Sequence, residues 1–225
     1  MFRKILIIIF ALVLIAVFLA LNRILQYKKR HEFTKNYQVE YLSEPSERVS
    51  DGNDTFFAQL AKAAEERALH SITYDPSYFK LDYPGGDVPA DKGVCTDVII
   101  RAYRKVGIDL QVKVHEDMKK NFDAYPQIWG LRKADPNIDH RRVPNLMVFF
   151  KRHGHTLAIS REPGDYQPGD IITWNLSRGV THIGIVSTKR NDSAKRYLAV
   201  HNIGSGPKLE DVLFAWKITG HFKYN

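Results

Sequence analysis

The chain has 225 residues, is 44% hydrophobic and carries a formal net charge of +8. This length is enough for one full domain with a terminal extension, and it excludes two large domains. Residues 1–36 hold seven Lys or Arg against one Glu, whereas the remaining residues hold 26 basic against 24 acidic side chains. A nucleic-acid-binding domain carries its basic excess on the folded body, so this distribution excludes nucleic acid as a partner.

The N-terminal residues predict a membrane segment. Residues 5–21 form an unbroken run of 17 apolar residues, with Arg3 and Lys4 before it. This run lies at the lower limit for crossing a bilayer and is longer than the core of most signal peptides. We predict that residues 1–22 form an uncleaved signal anchor, with a cleaved signal peptide as the alternative. Residues 23–53 are predicted to be a polar linker.

Two arguments about the side of the membrane oppose each other. The basic cluster from Arg23 to Lys35 outnumbers the pair Arg3 and Lys4, and the positive-inside rule read literally would hold the C-terminal domain in the cytoplasm. The chemistry described below instead favours an inner-membrane anchor with the domain in the periplasm or otherwise outside the membrane. Secretion after signal cleavage and a cytoplasmic domain are the alternatives.

Residues 54–225 are predicted to form one domain whose first half is helical. An amphipathic helix follows residue 54, and residues 74–90 are expected to be irregular because of their prolines and glycines. A second helix is predicted over residues 94–106, where Cys95 heads the apolar stripe. Further helices are predicted over residues 116–124 and 144–152.

The C-terminal third is predicted to be β-structure. Short runs rich in β-branched and aromatic residues alternate there with turn signals such as Gln167-Pro-Gly-Asp170. Helices followed by antiparallel-type strands indicate an α+β fold. The predicted strands are Thr156–Ile159, Ile171–Trp174, His182–Val186, Tyr197–His201 and Ile218–Lys223.

Cys95 is the single cysteine of the chain, and it opens the second predicted helix. A nucleophilic cysteine needs a nearby base and a positive local field, because the thiolate and not the thiol attacks carbonyl carbons. The helix N-terminus supplies the field, and a histidine on a facing strand can supply the base. His182 and His201 each stand beside a small residue on a predicted strand. We interpret Cys95 as a candidate nucleophile; a small core residue is the alternative.

Motifs in five segments extend this interpretation: Tyr83-Pro-Gly-Gly86, Gly93-Val-Cys-Thr-Asp97, Gln167-Pro-Gly-Asp-Ile-Ile172, Thr181-His-Ile-Gly-Ile185 and Val200-His-Asn202. In order and separation they resemble the NlpC-type cell-wall cysteine peptidases of the papain-like clan. The resemblance covers residues 83–202, about half of the chain. It departs at Thr96 and Asp97, where that family has Ser-Gly. The whole block also resembles a bacterial domain family of unknown function that is distantly related to the NlpC type.

This resemblance implies a papain-like fold, with the helix of Cys95 packed on an antiparallel sheet. It implies that Cys95 is the nucleophile, His182 the general base and His201 the orienting residue. Tyr83 resembles the tyrosine that helps to form the oxyanion hole. Asp97 and Asn202 are supporting candidates, and Asn202 would replace His201 if the strand register shifted by one residue.

A second cluster, Asp135 to Arg142, carries charge into a predicted loop. Arginine binds carboxylates in a bidentate manner, and peptidoglycan stem peptides carry several carboxylates. We therefore interpret His140, Arg141 and Arg142 as candidate substrate-binding residues. The alternative is a loop held together by its own ion pairs.

Together these features predict a membrane-anchored cysteine hydrolase that cleaves an amide bond in peptidoglycan or another envelope substrate, without a metal or other cofactor. One alternative is an acyltransferase or amidase that acts on a lipid or a small molecule. The other is an envelope-binding module without catalytic activity.

Overall fold

The structure, a computed structural model, describes residues 52–225, with side chains from residue 55 onward, together with Leu21 and Ile24. The predicted anchor over residues 1–22 and almost all of the predicted linker lie outside the described residues. Within the described part of the chain, no helix combines the length and apolar character needed to cross a bilayer.

The first half of the described domain is helical, and the predicted helix at Cys95 is present. A Schellman motif ends this helix: Gly107 has φ of +87°, and the N–H of Ile108 donates to the carbonyl of Tyr103 at 2.9 Å. The helices are α1 (Gly52–Arg67), α2 (Cys95–Lys105), α3 (Leu110–Lys120) and α4 (Val143–His153).

The predicted helix over residues 116–124 is wrong in its bounds. Asp109 caps α3 instead, because its side chain accepts a hydrogen bond from the N–H of Gln111 at 2.9 Å. The buried residues Leu110, Val114 and Met118 then recur every four residues and form the stripe that packs into the core. The helix therefore begins six residues earlier than the prediction.

The second half of the domain is a six-stranded antiparallel sheet in the order β3-β8-β4-β5-β6-β7. This sheet and the helices confirm the α+β class. A separate parallel pair, β1 and β2, precedes α2. The strands are β1 (Thr73–Tyr74), β2 (Lys92–Gly93), β3 (His155–Thr156), β4 (Ile171–Asn175), β5 (Thr181–Asn191), β6 (Arg196–Asn202), β7 (Pro207–Glu210) and β8 (Lys217–Lys223).

Two strand predictions need correction. The predicted strand Thr156–Ile159 is shortened to β3, because the carbonyl of Ala158 accepts from the Nδ1 atom of His221 and not from a strand partner. Strand β7 was not predicted at all. It is four residues long and begins with a proline, so it lacks the apolar signal of a central strand and lies at the sheet edge.

The six-stranded sheet separates two hydrophobic clusters. Its helix side carries Ile183, Ile185 and Val200, which pack with Cys95 and the helices. On its outer side, away from the helices, Tyr166 and Leu213 pack on the strand residues that point to that side. Successive residues of a strand point to opposite sides, so β4, β5, β6 and β8 each contribute to both clusters. The strand residues of the outer side are Ile172, Trp174, Val186 and Ala199.

Candidate active site

Cys95 is the first residue of α2. The preceding residue, Val94, has an extended backbone, and its N–H donates to the Asp97 carboxylate at 2.7 Å. Asp97, two residues after the cysteine, therefore caps the start of the helix as the acidic third residue of a capping box does. Only 6% of Cys95 is exposed. The cysteine is held at a helix N-terminus and inside the helix-side cluster.

Backbone N–H groups surround the Cys95 sulfur. The N–H groups of Ile183, Thr96 and Cys95 itself act on the thiol and favour its ionised form. Burial has the larger effect and raises the pKa of Cys95 to about 12. The thiol is therefore neutral at physiological pH. The three N–H donors nevertheless favour the thiolate whenever it forms.

The contact with Ile183 brings the sulfur to the backbone of β5, one residue after the predicted base His182. Within residues 52–225 no hydrogen bond joins the sulfur of Cys95 to an imidazole. Catalytic hydrogen bonds are often long in unliganded enzymes and shorten when substrate binds. The sulfur of Cys95 therefore meets the backbone of β5 on the helix side of the sheet, whereas the imidazole of His182 lies against Trp174 on the outer side and forms no hydrogen bond with the thiol.

The two predicted histidines are in direct contact. The Nε2 atom of His182 lies 2.9 Å from the Nδ1 atom of His201, and the ring planes are nearly perpendicular. The rings of Trp174 and Trp216 contact both imidazoles, with centroid separations from 5.8 to 6.4 Å. Burial, with repulsion from His201 as a smaller cause, lowers the pKa of His182 to about 3. His182 is therefore neutral at pH 7, as a proton acceptor must be.

The strand register determines which β6 residue meets His182. Gly184 pairs with His201, so His201 projects to the outer side together with His182. Asn202 projects to the other side, where its Nδ2 atom donates to the carbonyl of Gly93 at 3.3 Å. Asn202 thus fastens the end of β6 to β2, two residues before Cys95, and His201 occupies the position next to the base.

Two tyrosines differ in their relation to the cysteine. The hydroxyl of Tyr83 donates to Glu116 at 2.8 Å, and its ring lies edge-on to His115. Tyr74, on β1, is closer to the reactive centre: burial, the charge of a Cys95 thiolate and the Asp97 carboxylate together raise its pKa to about 12. Sequence reasoning missed Tyr74 because its segment carries no motif and was expected to be irregular. The oxyanion role of Tyr83 stays a prediction.

Arg141, from the cluster Asp135 to Arg142, is a buried residue, and its interpretation as a substrate-binding group stays a prediction. Its guanidinium forms two hydrogen bonds to Asp97, both at 3.1 Å, and also donates to the carbonyls of Ser77 and Asp75. Its side chain is only 1% exposed. These contacts occupy the guanidinium and clamp the segment after β1 onto the start of α2.

The other two residues of that cluster differ in exposure. His140 is 1% exposed, and burial with the charges of Arg104 and Arg141 lowers its pKa to about 3. It is therefore neutral at pH 7, and its interpretation as a substrate-binding residue stays a prediction. Arg142 is partly exposed and lies over the ring of Trp129 at 4.1 Å. Substrate binding by Arg142 stays a prediction.

The structure adds a carboxylate that the sequence did not reveal. Glu210, the last residue of β7, places its Oε2 atom 3.1 Å from the Nε2 atom of His201. The sequence signal that could have indicated it is the alternation Lys208-Leu209-Glu210, in which Leu209 packs toward the helix-side core. Among the described residues no group of three or more His, Cys, Asp or Glu is arranged to hold a metal ion.

Comparison with known proteins identifies the family. The model of a domain family of unknown function, DUF1287, matches residues 61–224. The chain belongs to the DUF1287 family. The predicted membership in a domain family of unknown function is thereby confirmed. A relative within the curated proteins, the uncharacterized protein YijF of Escherichia coli strain K12, is 52% identical over 166 residues, which are 73% of this chain and 80% of that protein.

Two solved structures are similar over most of the DUF1287 chain. NlpC1 from Trichomonas vaginalis gives a TM-score of 0.42 at 16% identity and covers 81% of this chain. NlpC2 from the same organism gives 0.43 at 16% identity and covers 79%. In both cases the match spans 48% of the other chain, about half its length.

Proposed function

We propose that this DUF1287 protein is a papain-like cysteine hydrolase that cleaves an amide bond in the cell envelope, with peptidoglycan as the substrate. One observation carries the proposal: the sulfur of Cys95 receives the N–H of Ile183, the residue after His182, and His182 in turn contacts His201. Nucleophilic cysteine catalysis requires a thiol among N–H donors and a neutral imidazole that has an orienting partner, and in this proposal substrate binding brings the imidazole of His182 to the thiol of Cys95.

The reaction begins with proton transfer. The thiol proton of Cys95 moves to His182, and the sulfur attacks the carbonyl carbon of the amide while the carbonyl π electrons move to oxygen. The backbone N–H groups of Cys95 and Thr96 point at the sulfur and are placed to stabilise the resulting oxyanion. This step converts two neutral groups into an ion pair. Because opposite charges attract more strongly at short distance, its free energy cost is lower once a substrate has brought the thiol and the imidazole together.

The intermediate then collapses and the enzyme is regenerated. The C–N bond breaks, the leaving amine takes the proton from His182, and a thioester remains on Cys95. Water attacks the thioester carbonyl, its proton passes to His182, and the C–S bond breaks to release a carboxylic acid. The returning proton restores the Cys95 thiol, so neither a metal nor a redox partner enters the balance.

The sequence supports an envelope location for this activity. The apolar run of residues 5–21 is long enough to reach across most of a bilayer, and the basic residues that follow it can contact anionic headgroups. We place the domain outside the inner membrane because peptidoglycan is found there. Release after signal cleavage would still leave it in the same compartment.

Product analysis of digested peptidoglycan tests the activity. We expect the purified wild-type chain to release new amine and carboxyl ends, and Cys95→Ala and Cys95→Ser to release about a thousandfold less, since nucleophile and base act as a unit. Unfolding curves of both variants establish that they are folded. Turnover by Cys95→Ala equal to that of the wild type would refute the proposal.

One observation favours a second candidate, an envelope-binding module without catalysis. Cys95 is almost fully buried, and its raised pKa keeps the thiol protonated at pH 7. A module of this kind would bind insoluble cell wall equally well before and after Cys95→Ala, with no product formed by either chain. Product formation that depends on Cys95 rejects this candidate.

A further inference from the structure

Glu210 completes a line of three polar groups that begins at the proposed base. The Nε2 atom of His182 faces the Nδ1 atom of His201 at 2.9 Å, and the Nε2 atom of His201 faces a Glu210 oxygen at 3.1 Å. The three residues come from three neighbouring strands, β5, β6 and β7. His201 is fully buried, whereas the Glu210 side chain is 29% exposed. The line therefore runs from the reactive centre to the sheet edge.

The donors and acceptors along this line have one consistent assignment when both imidazoles are neutral. An ionised carboxylate only accepts hydrogen bonds, so the Nε2 atom of His201 must carry a hydrogen and donate it to Glu210. A neutral imidazole has one N–H, which leaves the Nδ1 atom of His201 as an acceptor. The Nε2 atom of His182 must then donate to it. Each hydrogen bond fixes the next one.

We propose that Glu210 is a positioning residue that fixes the tautomers of both histidines, so that the Nδ1 atom of His182 holds the lone pair that takes the Cys95 proton. This inference rests on the proposed function. Without the carboxylate, the line can reverse: His201 would donate from Nδ1, and His182 would accept at Nε2 and carry its hydrogen at Nδ1. In that form His182 has no lone pair for the thiol.

The negative charge of Glu210 also stabilises the positive charge that forms on His182 during catalysis. When His182 takes the proton, a positive charge forms between the rings of Trp174 and Trp216. The imidazolium keeps its Nε2 hydrogen bond to His201, whose own N–H continues to donate to the carboxylate. Glu210 stays ionised throughout, so no second proton is transferred and the electron balance of the reaction is unchanged.

Nitrogen NMR of the full chain with 15N-labelled histidine reads the tautomers directly. At pH 7 we expect His182 and His201 each to carry one hydrogen, on Nε2. A hydrogen on the Nδ1 atom of His201, whether alone or together with one on Nε2, would overturn the assignment. Cys95→Ala should leave this pattern unchanged, because the cysteine does not belong to the line.

Two variants of Glu210 separate hydrogen bonding from charge. Glu210→Gln keeps an acceptor oxygen, so the Nε2–H tautomers should persist while the turnover number falls about tenfold with little change in KM. Glu210→Ala removes the acceptor, so the Nδ1–H form of His182 should appear and the turnover number should fall at least about a hundredfold, the range of a misplaced general base. Unchanged tautomers in Glu210→Ala would contradict the proposal.

Asp211→Asn is the matched control, because it makes the same change of charge one residue further on, in a carboxylate that pairs with Arg196 and Asn191. It should alter neither tautomers nor turnover. The two proposals can fail separately. Wrong tautomers with Cys95-dependent turnover reject the role of Glu210 alone, whereas correct tautomers with turnover that does not need Cys95 reject the hydrolase.

Discussion

The environment of one sulfur atom sets the chemistry available to this protein. Three backbone N–H groups favour the Cys95 thiolate, but burial outweighs them and raises the pKa to about 12. The thiol of Cys95 is therefore neutral at pH 7. Activation requires proton transfer to His182, which is neutral but is a weak base at its lowered pKa, so the transfer becomes favourable only when substrate binding changes the surroundings of both groups.

The pH dependence of alkylation tests this state of Cys95. An acid with a raised pKa is protonated below that value, and each pH unit multiplies the thiolate fraction by about ten. We expect the carboxymethylation rate of the folded chain to rise about tenfold per pH unit from pH 7 to 10 without a plateau. The chain in denaturant provides the control, with a plateau above its ordinary pKa. A plateau below pH 8 in the folded chain would contradict the account.

Asp97 and Arg141 form a buried pair, with side chains 4% and 1% exposed. Asp97→Asn leaves the buried guanidinium without its charge partner and weakens the cap of α2, so we expect a loss of about 3–5 kcal/mol in the free energy of unfolding. Denaturant unfolding measures it. Glu66→Gln is the control, because its pair with Lys105 is largely exposed and should contribute less than about 1 kcal/mol. Equal losses in the two variants would contradict the structural role of Arg141.

At this scale, some site residues were accessible to sequence reasoning and others were not. Cys95, His182 and His201 stand in motifs with local signals, namely a helix start and two strands with small neighbours. Tyr74 stands in no motif, and Glu210 has only the alternation of a short edge strand, because each reaches the site through tertiary packing. For Arg141 the sequence shows the charge of the side chain but not its buried partner, the carboxylate of Asp97.

Strand β5 is the element that connects nucleophile and base. Its residue Ile183 faces the helices and Cys95, while His182 and Gly184 face the outer side. A β-carbon added at Gly184 would lie 2.8 Å from the carbonyl oxygen of Val200 and 3.0 Å from the Trp174 ring. Glycine at this position thus allows the indole to approach the His182–His201 pair.

Substitution of Gly184 tests whether a residue without a side chain is needed for Trp174 to pack against His182 and His201. Gly184→Ala must displace Trp174 or the β6 backbone, so we expect a loss of about 1–3 kcal/mol in the free energy of unfolding. The histidine ring resonances should also shift, since Trp174 contacts both imidazoles. Gly164→Ala serves as the control, because no atom lies within 4 Å of its added β-carbon. A Gly184→Ala chain as stable as the control, with unshifted histidine resonances, would contradict the packing argument.

The elements that sequence reasoning placed correctly have strong local signals. Helix α2 combines an uninterrupted apolar stripe with a terminating glycine, and β4, β5, β6 and β8 are apolar and central or nearly so. The misplaced start of α3 depended on a single cap at Asp109, and β3 and β7 are edge strands of two and four residues. Short edge strands are stabilised by their neighbours and not by their own pattern, so a local reading cannot locate them.

At the scale of the whole molecule, positive charge and apolar residues are distributed unevenly along the chain. The basic excess lies almost entirely in residues 1–36, next to the apolar run, and the remaining residues are close to neutral. This distribution favours attachment to an anionic membrane surface over binding of a polyanion by the folded domain. We predict that the domain lies outside the inner membrane, the orientation that the proposed function requires.

A topology reporter fused after Asn225 determines that orientation. Alkaline phosphatase is active only outside the inner membrane, so we expect the full-chain fusion to be active and to sediment with membranes. Deletion of residues 1–22 is the matched control and should abolish the activity. The opposite result would be an inactive phosphatase fusion together with fluorescence from a second fusion, whose reporter fluoresces only in the cytoplasm. That result would exclude peptidoglycan as the substrate.

The most direct test of the central claim is to trap the acyl group on the sulfur. The full chain is mixed with peptidoglycan, quenched in acid within the first turnovers, digested with protease and analysed by mass spectrometry. We expect the peptide that contains Cys95 to carry the acyl part of the cleaved stem peptide, and His182→Ala to form this adduct at least about a hundredfold more slowly. Ongoing cleavage with Cys95 unmodified, and unimpaired in Cys95→Ala, would contradict the account.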